Sequence, residues 1–97
     1  MPSRLATTSL SAISKRLRIT RQVAGLSQTE FAARAGIAKN AYNQYESAKQ
    51  RPSLDSAIAL AKTHKLTLDW IYLGDASGLR YETAEAIAKL LDVRGVN

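Results

Sequence analysis

The polar side chains between residues 39 and 44 carry the most recognisable chemistry of this chain. Four of them donate or accept hydrogen bonds and would share the outer face of one helix: Lys39, Asn40, Asn43 and Gln44. Asn and Gln amides can pair bidentately with adenine, and Lys can reach the acceptor atoms of guanine. These residue types suit a helix that reads base edges in a DNA groove.

Catalytic and metal-binding chemistry has little support in the composition. The 97 residues include no Cys and a single His, His64, with no carboxylates clustered beside it in sequence. Cysteine catalysis, disulfides and cysteine-type zinc sites are therefore excluded, and one His alone cannot hold zinc. No two Asp or Glu residues form a pair suited to general acid–base work. We expect a protein that is not an enzyme, without cofactor or metal, and with His64 on its surface.

The positive charge is concentrated in the first half of the chain. The sequence has 14 Lys and Arg against 8 Asp and Glu, a net charge of +6. Residues 1–51 hold nine of the basic and only two of the acidic residues, whereas residues 52–97 hold five basic and six acidic ones. Such asymmetry suggests a polyanionic partner. The alternative is a basic protein with no such partner.

Nothing in the sequence indicates a membrane protein. No apolar run approaches the roughly 20 residues that span a bilayer. The first 20 residues lack the apolar core and the cleavage site of a secretory signal. We expect a cytoplasmic protein with no membrane partner.

Apolar periodicity and capping residues predict five or six short helices and no strand. The first helix starts at Leu10 and ends at Gly25, since its apolar face repeats at helical spacing. Ser27 and Glu30 form a capping box for the second helix, which Gly36 ends. A third helix is expected from Ala38 to Ser47 and a fourth after Ser53. A short fifth helix over 68–73 would be capped by Thr67, and a last one would cover 82–91.

These elements predict an all-α fold in three parts. Residues 1–9 are polar and are expected to be a flexible N-terminal arm. Residues 10–75 should form a compact five-helix bundle. Residues 76–97 would be a C-terminal extension, helical from about residue 82.

The second and third helices have the layout of a helix-turn-helix. A two-turn helix, Gly36, a tight turn and a polar-faced helix follow each other, and such a short turn sets two helices roughly perpendicular. Tyr42 and Tyr45 could stack on bases, as aromatic side chains do in proteins that bind single-stranded nucleic acid. Their spacing favours a place in the core.

Three blocks of this region, GLSQTEFAARAG, YESAKQRPS and LTLDWIYLGD, occur in an order and spacing that resemble a known family. Residues 13–75 are similar to the Cro/repressor-type helix-turn-helix domains (xenobiotic-response-element type) of lambdoid phage repressors and many bacterial regulators. The resemblance implies a lambda-repressor-like bundle that binds double-stranded DNA as a homodimer, with the third helix in the major groove.

The resemblance also implies roles for individual residues. Lys39, Asn40 and Asn43 stand where the family reads bases, and Gln44 stands where it reaches a base edge or a phosphate. Gln28, Lys49 and Arg51 match phosphate-contacting positions. Arg21 and Glu46 match a structural ion pair between the first and third helices.

Two further expectations concern DNA and a second protomer. Arg18, near the exposed side of the first helix, is a candidate phosphate contact. The dimer interface is expected on the fifth helix, at Leu68, Trp70 and Ile71, and could extend to the last helix. For Trp70, a place in the core is an equal alternative.

At two positions the chain departs from the family pattern. Ala38 stands where a capping Ser or Thr is common, so a cap of about 1 kcal/mol is missing. Ala48 stands where Gly commonly ends the third helix. A non-Gly residue there must take a left-handed conformation or end the helix differently.

The preferred function is a transcriptional regulator, with repression favoured, that binds a palindromic operator. The first alternative is an antitoxin that neutralises a toxin through residues 77–97 and represses its own operon. The second is a protein-interaction module that has kept the fold and lost DNA binding.

Overall fold

The computed structural model describes the backbone of residues 8–94 and the side chains of residues 8–91. The helices are α1 (Leu10–Ala24), α2 (Gln28–Arg34), α3 (Lys39–Glu46), α4 (Leu54–His64), α5 (Asp69–Leu73) and α6 (Tyr81–Arg94). The described residues contain no strand, so the all-α class is confirmed. Most of the expected flexible arm, residues 1–7, lies outside the described residues.

Serine caps begin three of the helices. The side chain of Ser9 accepts a hydrogen bond from the amide of Ala12, and that of Ser53 accepts one from Ser56. Ser27 and Glu30 form the predicted capping box, in which each side chain bonds the other's backbone amide. Each such cap stabilises its helix by about 1 kcal/mol.

The core lies around α1, which packs against α3, α5 and α6. The largest side chains with less than 2% exposure come from five helices: Tyr42, Phe31, Ile13, Leu17, Leu60 and Ile71. Tyr45 is also buried, so both tyrosines of α3 belong to the core, as their spacing predicted.

The short helix α5 turns its aromatic side chain inwards. It is a single π-helical turn, and the side chain of Thr67 accepts a hydrogen bond from the amide of Trp70. The indole Nε1 donates to Thr20 Oγ1 at 2.9 Å, and Trp70 is only 7% exposed. Since Ile71 is fully buried, neither residue has a surface to offer a second protomer. Of the three residues expected in a dimer interface, Leu68 alone is partly exposed.

Helix α6 closes the bundle against α1. Leu79, before the helix, and Ile87, within it, are buried. Leu90 and Leu91 are partly buried against the same core. The extension therefore completes the hydrophobic core with its apolar stripe.

His64, expected on the surface, is partly exposed and lies against α2. Its ring stacks on Phe31 with a centroid distance of 3.8 Å, and its Nε2 lies 3.0 Å from the Phe31 carbonyl oxygen. That carbonyl needs a partner because the amide of Ala35 donates to Ala32 instead.

Candidate nucleic-acid interface

The angle between α2 and α3 is fixed by a short turn and an aromatic contact. The amide of Ile37 donates to the Ala32 carbonyl at 2.9 Å, so the chain reverses directly after α2. Gly36 takes a φ of 72°, which suits the absence of a Cβ. The rings of Phe31 and Tyr42 meet with centroids 5.5 Å apart, joining the two helices below the turn.

The outer face of α3 is exposed and polar. All four side chains predicted to read bases are exposed along it: Lys39, Asn40, Asn43 and Gln44. Ala38 caps the helix without a side-chain hydrogen bond, as its methyl group predicts. The first amides of α3 therefore lack a side-chain acceptor at the N-cap.

The opposite face of α3 carries a buried carboxylate, Glu46, which is 2% exposed. Arg21 of α1 donates to it twice, from Nε to Oε2 at 2.7 Å and from Nη2 to Oε1 at 3.0 Å. Tyr42 Oη donates to Oε2 at 2.5 Å, and Gln28 Nε2 donates to Oε1 at 3.0 Å. Arg21 and Glu46, the residues expected to pair, thus form a bidentate ion pair within a larger network.

The network keeps Glu46 ionised. Burial alone would raise the pKa of its carboxyl group, but the hydrogen bonds from Arg21, Tyr42 and Gln28 outweigh burial and lower the pKa below the usual 4.5. The hydrogen bond to Glu46 raises the pKa of Arg21 in turn. At neutral pH the carboxylate can therefore only accept hydrogen bonds.

The backbone carbonyl of Glu46 is held as well. Ser14 Oγ donates to it, and so does Arg18 Nη2 at 2.9 Å. Arg18, a candidate phosphate contact, is therefore occupied at the C-terminal end of α3, where a cation also complements the helix dipole. Its other N–H groups remain the ones with which it could reach DNA.

Gln28 links this buried network to the exposed face. Its Nε2 bonds Glu46, while its Oε1 accepts a hydrogen bond from Asn43 Nδ2 at 3.1 Å. The structure therefore brings one residue predicted to contact phosphate directly against one predicted to read a base.

The loop after α3 carries Lys49 and Arg51, and both side chains are exposed. Ala48 takes the left-handed conformation with a φ of 61°, the first of the two paths that its sequence left open. The amides of Ala48 and Lys49 donate to the carbonyls of Tyr45 and Gln44, which forms a Schellman motif. This turn carries the two basic side chains past the C-terminal end of α3.

Two residues of the site escaped the sequence reasoning. Ser14 is 3% exposed and anchors α3, and a polar residue on the apolar face of α1 was the available signal. Thr8 receives a hydrogen bond from Arg51 Nη2 through its carbonyl at 2.6 Å. Every residue type has a backbone carbonyl, so the sequence could not indicate this contact.

Residues 8–94 contain neither a membrane span nor a metal-binding group. No helix in this range has the length and apolar character needed to cross a membrane. The same range contains no group of three or more His, Cys, Asp or Glu side chains placed to hold a metal ion.

Comparison with known proteins relates the chain to a family and to a bacterial regulator. The helix-turn-helix family model matches residues 17–71, which include all of α2 and α3 but not α6. A Bacillus subtilis (strain 168) protein named uncharacterized HTH-type transcriptional regulator YobD is 35% identical over 57 residues. The matched part covers 59% of this chain and 51% of that protein, so the chain spans about half the length of this relative. No solved structure matches the chain significantly.

Proposed function

Since the chain belongs to the Cro/C1-type helix-turn-helix family, we propose that it is a transcriptional repressor that binds a palindromic operator as a homodimer. The observation that carries this proposal is the row of exposed hydrogen-bonding side chains on α3. The hydrogen bonds of Glu46 on the opposite face fix the position of this helix. A name that includes transcriptional regulator, given to the Bacillus subtilis relative, supports the same function.

Two groups of side chains would have different roles in DNA binding: one would read bases and the other would position the protein on the duplex. Lys39, Asn40, Asn43 and Gln44 would contact base edges in the major groove. Lys49 and Arg51, on the loop beyond α3, would contact phosphates and set the register without reading sequence. No catalytic step is required of any residue in this account.

A second copy is needed because one α3 offers few contacts. Two linked copies double the reading surface and bind far more tightly than one. Trp70 and Ile71 are buried, so the contact between copies requires other side chains. Leu54 and Leu73 are 58% and 52% exposed. Leu73 follows Tyr72, whose Oη donates to the carbonyl of Pro52 at 2.8 Å, two residues before Leu54. We place the dimer contact there, next to the phosphate-binding loop.

The antitoxin alternative has less support. It requires a segment free to bind a toxin, and the candidate was 77–97. Within that segment, Leu79 and Ile87 are buried in the bundle. A toxin would have to bind the remaining outer surface of α6 or displace the helix.

The test is selection of duplexes from a random-sequence pool at near-physiological salt with competitor DNA. We expect enrichment of a palindrome whose half-sites lie about 10 base pairs apart, as two-fold binding requires. Retention without enrichment would contradict sequence reading. The variant Leu54→Glu/Leu73→Glu should remain folded and retain single half-sites while losing the palindrome, and a palindrome selected equally well by this variant would remove the proposed dimer contact.

A further inference from the structure

The amide groups of Gln28 and Asn43 form a chain that begins at a group of fixed polarity. Glu46 accepts hydrogen bonds and cannot donate, so the amide nitrogen of Gln28 must face it. A flipped Gln28 would place its oxygen against the carboxylate. The orientation of the Gln28 amide is therefore dictated by Glu46.

The orientation of Gln28 in turn constrains Asn43 on the exposed surface. With its nitrogen held by Glu46, Gln28 turns its oxygen towards α3, where it accepts from Asn43 Nδ2 at 3.1 Å. A flipped Asn43 would set oxygen against oxygen. Asn43 is thus left with its Oδ1 and one N–H for another partner.

We infer that Gln28 is a positioning residue that locks the side-chain amide of Asn43 in the orientation that reads adenine. The inference rests on the proposed function and deepens it. Adenine offers an acceptor, N7, beside a donor, the N6 amino group, which complements the remaining N–H and Oδ1 of Asn43. Guanine offers two acceptors at the same edge, and one of them would face Oδ1.

Asn40 provides an internal contrast on the same helix. It is exposed, and within residues 8–91 its side chain has no hydrogen-bond partner. Its amide can turn either way to suit the base that it meets. Discrimination at the base pair facing Asn43 should therefore depend on Gln28, and discrimination at the base pair facing Asn40 should not.

The test measures the affinity of the full chain for the selected operator and for duplexes changed at one base pair at a time. The proteins are the wild type, Gln28→Met, Asn43→Ala and the double variant, with Asn40→Ala as the matched control. Methionine keeps the length of Gln28 and removes both hydrogen bonds. Gln28→Ala serves if the methionine variant does not fold.

At one base pair, Asn43→Ala should abolish an adenine preference of roughly 5- to 150-fold. Gln28→Met should lower the preference at that same pair by at least 3-fold and leave other pairs unchanged. The double variant should discriminate no worse there than Asn43→Ala, because the two residues act as one unit. Asn40→Ala should alter a different pair.

Three results would overturn the inference while leaving sequence-specific DNA binding by the protein intact. An undiminished adenine preference in Gln28→Met would show that Asn43 reads adenine without the hydrogen bond to Gln28. Equal weakening on all duplexes would assign Gln28 to a phosphate. Preferences left intact by Asn43→Ala would show that Asn43 does not read a base. If the wild type discriminated at no pair, the proposed function would fall as well.

The contact itself can be tested without DNA. In the ¹⁵N–¹H spectrum of the free protein, Gln28→Met should shift the side-chain amide protons of Asn43 and leave those of Asn40 in place. Unchanged Asn43 protons would show that the hydrogen bond is absent, and the inference would fail.

Discussion

Helices α3 and α6 both bury apolar side chains against the bundle, but α3 is held by directional hydrogen bonds as well. Helix α3 is fixed by a buried carboxylate, Glu46, whose oxygens receive hydrogen bonds from α1, α2 and α3 itself. Helix α6 is held by apolar burial, with Ile87 at its centre. Hydrogen bonds are directional and lose strength within a few tens of degrees, whereas burial of apolar surface has no direction.

This difference suits the role that we propose for α3. A helix that reads bases must keep a fixed rotation about its axis, since each side chain has one base edge to meet. A helix that completes a core needs only to cover it. We therefore expect substitutions around α3 to change both stability and DNA recognition, and substitutions in α6 to change stability alone.

The largest effect is expected for Glu46→Gln. The change removes the charge opposite Arg21 and replaces one acceptor oxygen by an amide nitrogen. Breaking a buried ion pair in this way should lower the free energy of unfolding by about 3 kcal/mol, measured by urea denaturation. The exposed Glu82 gives the control, since Glu82→Gln should stay within about 0.5 kcal/mol of the wild type. Equal effects of the two substitutions would show that the network does not stabilise α3.

Ile87→Ala should have the next largest effect. Truncation of this buried side chain should cost about 2 kcal/mol, and Ile87→Val should cost less. Operator affinity, measured under conditions where the protein is folded, should not change. A selective loss of discrimination at one base pair would contradict the division between the two helices.

Ala48→Gly should stabilise the protein. A non-glycine residue in the left-handed region costs roughly 1 kcal/mol, and the Schellman turn is already formed. Thermal unfolding should shift upwards, whereas Ser47→Gly, one residue earlier and outside the left-handed region, should lower stability. A lower melting temperature for Ala48→Gly would indicate that the alanine methyl group makes a favourable contact.

The smallest effect is a dependence of stability on pH through His64. Burial lowers the pKa of this imidazole, and Arg34 lowers it further, while the hydrogen bond to Phe31 acts in the opposite direction. The folded state therefore binds a proton less readily than the unfolded state, in which the imidazole has its ordinary pKa of 6.5. The contribution of neutral His64 to the free energy of unfolding should be fully present above pH 6.5 and should fall as the pH drops below that value.

Comparison of unfolding free energies at pH 7.5 and pH 5.5 measures this effect. The decline should be smaller in His64→Gln, which can still donate a hydrogen bond but does not titrate. An identical decline in both proteins would assign the pH dependence to other groups. Glu46 is not among them in this window, because its lowered pKa makes its contribution disappear only in more acidic solution.

Local rules predicted much of the fold. The capping box at Ser27, the end of α1 at Gly25 and the two outcomes open to Ala48 follow from properties of single residues and their neighbours. The exposed polar face of α3 follows from helical periodicity. The helix at the C-terminus runs from Tyr81, one residue before its predicted start.

Contacts between helices were harder to predict. Trp70 and Ile71 share a five-residue helix, and nothing local indicates that both turn inwards. The stacking of His64 on Phe31 joins residues 33 positions apart. The bond between Gln28 and Asn43 depends on the angle between α2 and α3, which the sequence indicates only approximately.

We predict that α3, and not α6, contacts DNA. The most direct measurement is the change in backbone amide chemical shifts when the ¹⁵N-labelled protein is titrated with its selected operator at near-physiological salt. We expect the largest changes at Gln28, along residues 39–44 and at Lys49 to Arg51, with the amides of residues 81–91 nearly unchanged. The largest changes along α6, with α3 unaffected, would contradict this prediction.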